Sequence, residues 1–113
     1  MVAPVTKLFL VTRADLPPGD QAVQAAHALR EFVAHHPEID LHWYRTSNTL
    51  AFLAARDEPA LGALLVKARD QGLACAPFTE PDRNDELTAV AFGPDCRRLL
   101  SSLPRALRCM RAA

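Results

Sequence analysis

Gln24 and His27 stand one helical turn apart in "DLPPGDQAVQAAHA" (15–28), just after a strand-like run closes on Arg13 and two prolines and a glycine turn the chain. Much further on, "TEPDRNDE" (79–86) sets Glu80, Asp82, Arg83 and Asn84 in one polar loop, and Thr88 follows at the head of an apolar run. Amides, carboxylates, a hydroxyl and an imidazole suffice to orient a water, carry a proton and donate hydrogen bonds to a developing oxyanion. The plain alternative is a solvated helix face, ordinary loop acids and a strand-filling threonine. Asp15 likewise reads as a cap for its turn. Which reading holds depends on the elements that bring these stretches together.

"KLFLVTR" (7–13) is short, apolar and β-rich, which predicts a buried strand. Asp20 stands where an N-cap belongs and Pro37 is a stop, so a helix is predicted from Asp20 to about His35. Ala22, Ala25, Ala26, Leu29 and Val33 share one side of it; Asp20, Gln24, His27 and Glu31 form an open polar stripe on the other. Residues 38–44 read as a turn or short helix that tucks in Trp43, and "TLAFLAA" (49–55) as the second strand. Asp57 and Pro59 open a helix with a stripe of Leu61, Leu64, Leu65 and Ala68, and Gly72 ends it as a left-handed C′ residue. "ACAPF" (74–78) is a third strand, which Pro77 sends to an edge or a bulge, and "LTAVAFG" (87–93) is the fourth. In the tail from Asp95, Leu99, Leu100, Leu103, Leu107 and Met110 fall on one side of a helix that Pro104 splits or kinks.

The order β-α-β-α-β-β-α predicts a single α/β domain over residues 1–113: a four-stranded mixed sheet, mostly parallel, with helices on both faces. Leu10, Phe52, Leu65 and Val90 are its expected core residues. In such sheets ligands bind beyond the carboxyl ends of the strands. The turn after strand one, the 79–86 loop and Thr88 can all gather there.

Half of the 113 residues are hydrophobic, which is enough for one core, and no apolar run approaches a membrane span. Residues 1–12 show no secretory pattern. Three cysteines without CxxC spacing, and no HExxH, predict reduced thiols in a cytoplasm and no structural zinc. Residues 1–95 hold 8 basic and 13 acidic side chains, whereas residues 96–113 hold five arginines and no acid. Arg97, Arg98, Arg105 and Arg108 lie opposite the leucine stripe, as a phosphate-facing patch or a solvated helix face.

From about Lys7 to Leu103 the chain resembles the class II peptidyl-tRNA hydrolases, in the manner of a divergent bacterial or phage-type branch. Arg13, Asp15 and Leu16 match that family's Arg-x-Asp-Leu; Gln24, His27 and Ala28 match its Gln-x-x-His-Ala; Trp43 precedes strand two as expected; Thr88 and Gly93-Pro94 open and close strand four. Two motifs depart. The family's Gly-Lys-Gly-Lys turn is two residues shorter here and reads Gly19, Asp20, Gln21, without lysine. Its Asp-x-Gly-Arg-Thr becomes Glu80-Pro81-Asp82-Arg83-Asn84, in which Glu80, or Asp82 instead, takes the acid's place and Arg83 the arginine's.

The resemblance implies a cytoplasmic, cofactor-free and metal-free homodimer that hydrolyses the ester of peptidyl-tRNA or N-blocked aminoacyl-tRNA and releases free tRNA. Glu80 or Asp82 then orients the water, and Gln24 and Thr88 supply hydrogen bonds near the carbonyl. His27 supports Gln24 or titrates near neutral pH. Arg13 and Arg83 hold the 3′-terminal phosphates as forks, with Asp15 and Asn84 beside them. The alternative is a non-catalytic relative that binds tRNA ends or a protein partner with the same cleft.

Overall fold

The computed structural model describes residues 6–107. Strand β1 (Lys7–Arg13) leads into helix α1 (Pro18–His35), helix α2 (Pro37–Thr46) and strand β2 (Thr49–Ala55). Helix α3 (Glu58–Asp70), strand β3 (Cys75–Glu80) and strand β4 (Glu86–Phe92) follow. Short 3₁₀ turns cover Pro81–Arg83 and Pro94–Cys96. The sheet runs β2-β1-β4-β3, with β1 parallel to β2 and β4 antiparallel to both β1 and β3. The sheet is mixed, as expected. The expectation of a mostly parallel sheet holds for strand direction only: β1, β2 and β3 run one way, but the reversed β4 lies between β1 and β3 and makes two of the three pairings antiparallel.

Alternation along the strands builds two cores. Phe9 and Val11 of β1 join Val90 and Phe92 of β4 under Leu61, Leu65 and Ala68 of α3. Leu8 and Leu10 join Ala89, Ala91 and Ala76 under Ala25, Ala28 and Phe32 of α1, and Trp43 of α2 completes that side. The alanines on both surfaces let α1 lie close to the sheet, and the fully buried Phe32 fills the space beyond them. Trp43 is buried and donates its indole N–H to the Thr49 carbonyl at 2.8 Å, which ties α2 to the head of β2.

Helix α3 follows its punctuation. The Asp57 side chain accepts from the Ala60 N–H at 3.0 Å. Gly72 takes φ +69° while its N–H reaches the Arg69 carbonyl and the Leu73 N–H reaches that of Ala68, the Schellman pattern that only a left-handed residue completes cheaply. Pro77 lies on β3, an outer strand, where its missing N–H costs no ladder bond inside the sheet. Cys75 and Cys96 carry free thiols, and burial pushes Cys96 up to about 12, so it stays a neutral core group. No described helix is long and apolar enough to cross a membrane.

Four expectations are corrected. Helix α1 starts at Pro18 on Pro17, and Asp20 sits in its first turn rather than capping it. Its buried face is Gln21, Gln24, Ala25, Ala28 and Phe32, while Ala22 and Ala26 are exposed. Alanines surround this helix, so they do not select a face; the one large inward side chain, Phe32, does. The tail is not a helix among the described residues. Leu100 is buried and Leu103 packs on the α3-side core, and the chain then lies along the free edge of β2. There Ala54 donates to the Pro104 carbonyl at 3.0 Å and Ala106 to that of Phe52 at 2.9 Å, so the edge is covered. Arg108, Cys109 and Met110 lie outside the described residues. Finally, Leu10, Leu65 and Val90 are buried but Phe52 is only half-buried, because β2 is an outer strand and α1 packs on β1, β4 and β3.

Truncating Phe32 to alanine is expected to cost about 3–5 kcal/mol, and Phe52→Ala clearly less. Urea denaturation of both variants checks this, and an equal loss would place Phe52 in the core after all.

Candidate active site

The site forms where β1 and β3 end, β4 begins and α1 enters its second turn. Its geometry depends on one irregularity. Phe78 pairs with Ala89, but Thr79 pairs with Leu87, so Thr88 is an extra residue in β4, a β-bulge. Strict alternation would turn Thr88 towards α3 with Val90 and Phe92. Instead Leu87 packs on the α3-side core, and Thr88 points with Ala89 towards α1.

Side chains hold the bulge on every side. Leu87 donates its N–H to Glu58 Oε2 of α3 at 2.7 Å, and its carbonyl accepts from Arg13 at 3.3 Å. Thr12 Oγ1 donates to the Thr88 carbonyl at 3.2 Å. The Leu87 N–H and the Leu87 and Thr88 carbonyls at the bulge therefore find side-chain partners.

Thr88 Oγ1, fully buried, donates to Gln24 Oε1 at 2.7 Å, with the Phe78 carbonyl at 3.3 Å as second acceptor. Gln24 is itself buried, and its Nε2 donates to Glu80 Oε1 at 3.0 Å. This network fixes the amide orientation, since a reversed Gln24 would set its oxygen against a carboxylate. One Nε2 hydrogen serves Glu80 and the second remains to donate. Among the described residues no protein group bonds the other Glu80 oxygen.

Arg13 has only 9 % of its side chain exposed. It forks onto Asp15 through Nε at 3.0 Å and Nη2 at 2.9 Å, and Nη1 reaches Glu86 at 2.8 Å. The hydrogen bonds that Arg13 donates to Asp15 raise the Arg13 pKa further, and the same bonds lower that of Asp15. The expected phosphate fork thus already carries two carboxylates. Arg83 makes a looser contact, one Nη2 to Asp20 Oδ2 at 3.3 Å, with side-chain exposures of 35 % and 49 %. His27 is exposed and lies flat on Phe78, with ring centroids 4.4 Å apart and planes 10° from parallel. Asp82 is exposed in the Pro81–Arg83 turn, and no hydrogen bond or ion pair ties it to this network. Asn84 and Asp85 take φ of 56° and 60°, which short polar residues tolerate, and close the turn from β3 to β4.

The structure thus joins Gln24, Glu80 and Thr88 by direct contacts and leaves Asp82 outside them. Thr12, Glu58 and Glu86 were missed by sequence reasoning. Only a polar Thr88 in register with Val90 and Phe92 hinted at a bulge. Among the described residues no group of three or more His, Cys, Asp or Glu side chains could hold a metal ion. A cavity of about 910 Å³ lies at the opposite end of the sheet, lined among others by Thr6, His36, Trp43, Arg69 and Cys75. It contains none of the residues above.

The joined set is a buried amide between a hydroxyl and a half-exposed carboxylate, suited to acyl transfer to water. The search among curated proteins gives no match. The family model described as peptidyl-tRNA hydrolase PTH2 matches residues 6–110, which is nearly the whole chain. The chain therefore belongs to the PTH2 peptidyl-tRNA hydrolase family, and its activity is that of a carboxylic ester hydrolase that cleaves peptidyl-tRNA.

Proposed function

We propose that the Thr88–Gln24–Glu80 network performs this hydrolysis. The carrying observation is that Gln24, buried and locked by Thr88 at 2.7 Å, holds Glu80 at 3.0 Å with one carboxylate oxygen left for a water. Glu80 accepts a proton from that water as its oxygen attacks the ester carbonyl. The second Nε2 hydrogen of Gln24 steadies the developing oxyanion. When the intermediate collapses, the bond to the terminal ribose oxygen breaks, and that oxygen takes the proton. The products are a free peptide and a free tRNA. Asp82 borders the site without bonding to the network.

In this reading Arg83 meets a 3′-terminal phosphate and the His27–Phe78 stack borders the tRNA end, with Asn84 shaping the loop. Arg13 and Asp15 hold the end of β1 and the bulge of β4 in place. The enzyme works in the cytoplasm as a homodimer; exposed Leu41, Tyr44 and Leu50 along α2 and β2 supply apolar surface for it. The departing Gly19-Asp20-Gln21 turn favours a divergent bacterial or phage-type branch.

Thr88→Ala and Glu80→Gln are expected to lower kcat on peptidyl-tRNA by about 100-fold or more with little change in melting temperature, and Asp82→Asn to keep most activity. Full turnover by a joint Glu80→Gln, Asp82→Asn variant would remove the carboxylates from the mechanism. The described tail arginines, Arg97, Arg98 and Arg105, are exposed on an otherwise acidic body. Changing these and Arg108 to glutamine is expected to weaken tRNA binding and to flatten the slope of log affinity against log salt by about one unit or more. Titrations at several salt concentrations read this directly, and an unchanged slope means the tail is a solvated face.

A further inference from the structure

The two arginines at the site are not equally available. Arg13 is almost wholly buried and makes three short contacts to two carboxylates, so a phosphate would have to displace a closed network. Arg83 makes one 3.3 Å contact to a single carboxylate, and both partners are about half-exposed. Exposed pairs of this kind are weak and exchange readily. Asp20 projects from the first turn of α1, where the helix dipole favours its charge, and the contact spans from that turn to the loop after β3. The carboxylate thus occupies a guanidinium N–H of Arg83, a donor suited equally to a phosphate oxygen.

We infer that Asp20 sets the affinity of this site for the substrate's 3′-terminal phosphate by occupying Arg83 until that phosphate takes its place. The inference rests on the tRNA-binding reading above and adds a residue to it. Asp20 touches neither the scissile ester nor the Gln24 network, so it tunes binding and leaves the chemical step alone. Binding then exchanges one anion for another on the same guanidinium, and the net gain is the difference between two similar contacts. Without Asp20 the full contact is gained.

Equilibrium titration of deacylated tRNA onto the full chain tests this in four forms: wild type, Asp20→Asn, Arg83→Gln and the double variant. Asp20→Asn is expected to bind about 2- to 5-fold tighter, the range that a half-exposed ion pair commands. In the Arg83→Gln background the same substitution is expected to change nothing. With peptidyl-tRNA as substrate, Asp20→Asn is expected to lower KM and leave kcat unchanged. An equal gain in both backgrounds would reduce Asp20 to general charge repulsion, and no gain in either would remove its role; each overturns the inference while hydrolysis by wild type stands. If no form binds tRNA and wild type leaves peptidyl-tRNA intact, the functional reading falls and takes this inference with it.

Discussion

Thr88 reaches Gln24 because β4 carries one residue more than β3 requires. The bulge exchanges the directions of Leu87 and Thr88, bringing Thr88 from the α3 layer to the α1 layer. Everything catalytic in the proposal follows from that reversal. The hydroxyl fixes the amide, and the amide fixes the carboxylate. The backbone cost of the bulge is met by Glu58 on one side and by Arg13 and Thr12 on the other, so residues from α3 and from β1 converge on the backbone of Leu87 and Thr88.

This convergence accounts for the charge pattern at that end of the sheet. Asp15 and Glu86 occupy Arg13 and keep it in place beneath the bulge. Their two negative charges are thereby offset in part, by one guanidinium, within the fold. Asp20 is matched only loosely, by Arg83. The ion pairs of Arg13 are thus internal, and the Arg83–Asp20 pair is a looser one at the rim. The exposed tail arginines Arg97, Arg98 and Arg105 lie outside this network.

Strands and helices were legible where one signal dominated. Apolar runs marked β1, β2 and β4, and Asp57 and Gly72 bounded α3 on both sides. Helix α1 was found, but its inward face was not, because alanines on every side leave the choice to Phe32 and to the two buried glutamines. The tail carried a clean leucine stripe, yet its backbone completes the β2 edge instead of coiling, a tertiary demand that periodicity does not express. For the site, residue types pointed to Gln24, Glu80 and Thr88. A one-residue register shift leaves no mark in composition, so the partners of the bulge, Glu58 above all, were out of reach.

Most of this account stands on Glu58 acting through Thr88, and a double-mutant cycle measures that link. Single-turnover hydrolysis of a peptidyl-tRNA is compared for wild type, Glu58→Ala, Thr88→Ala and the double variant. Glu58→Ala is expected to slow the wild type markedly, because the Leu87 N–H loses its acceptor and the bulge relaxes, but to slow Thr88→Ala little further. Losses that add in full would contradict it, and would show that the bulge does not position the catalytic network.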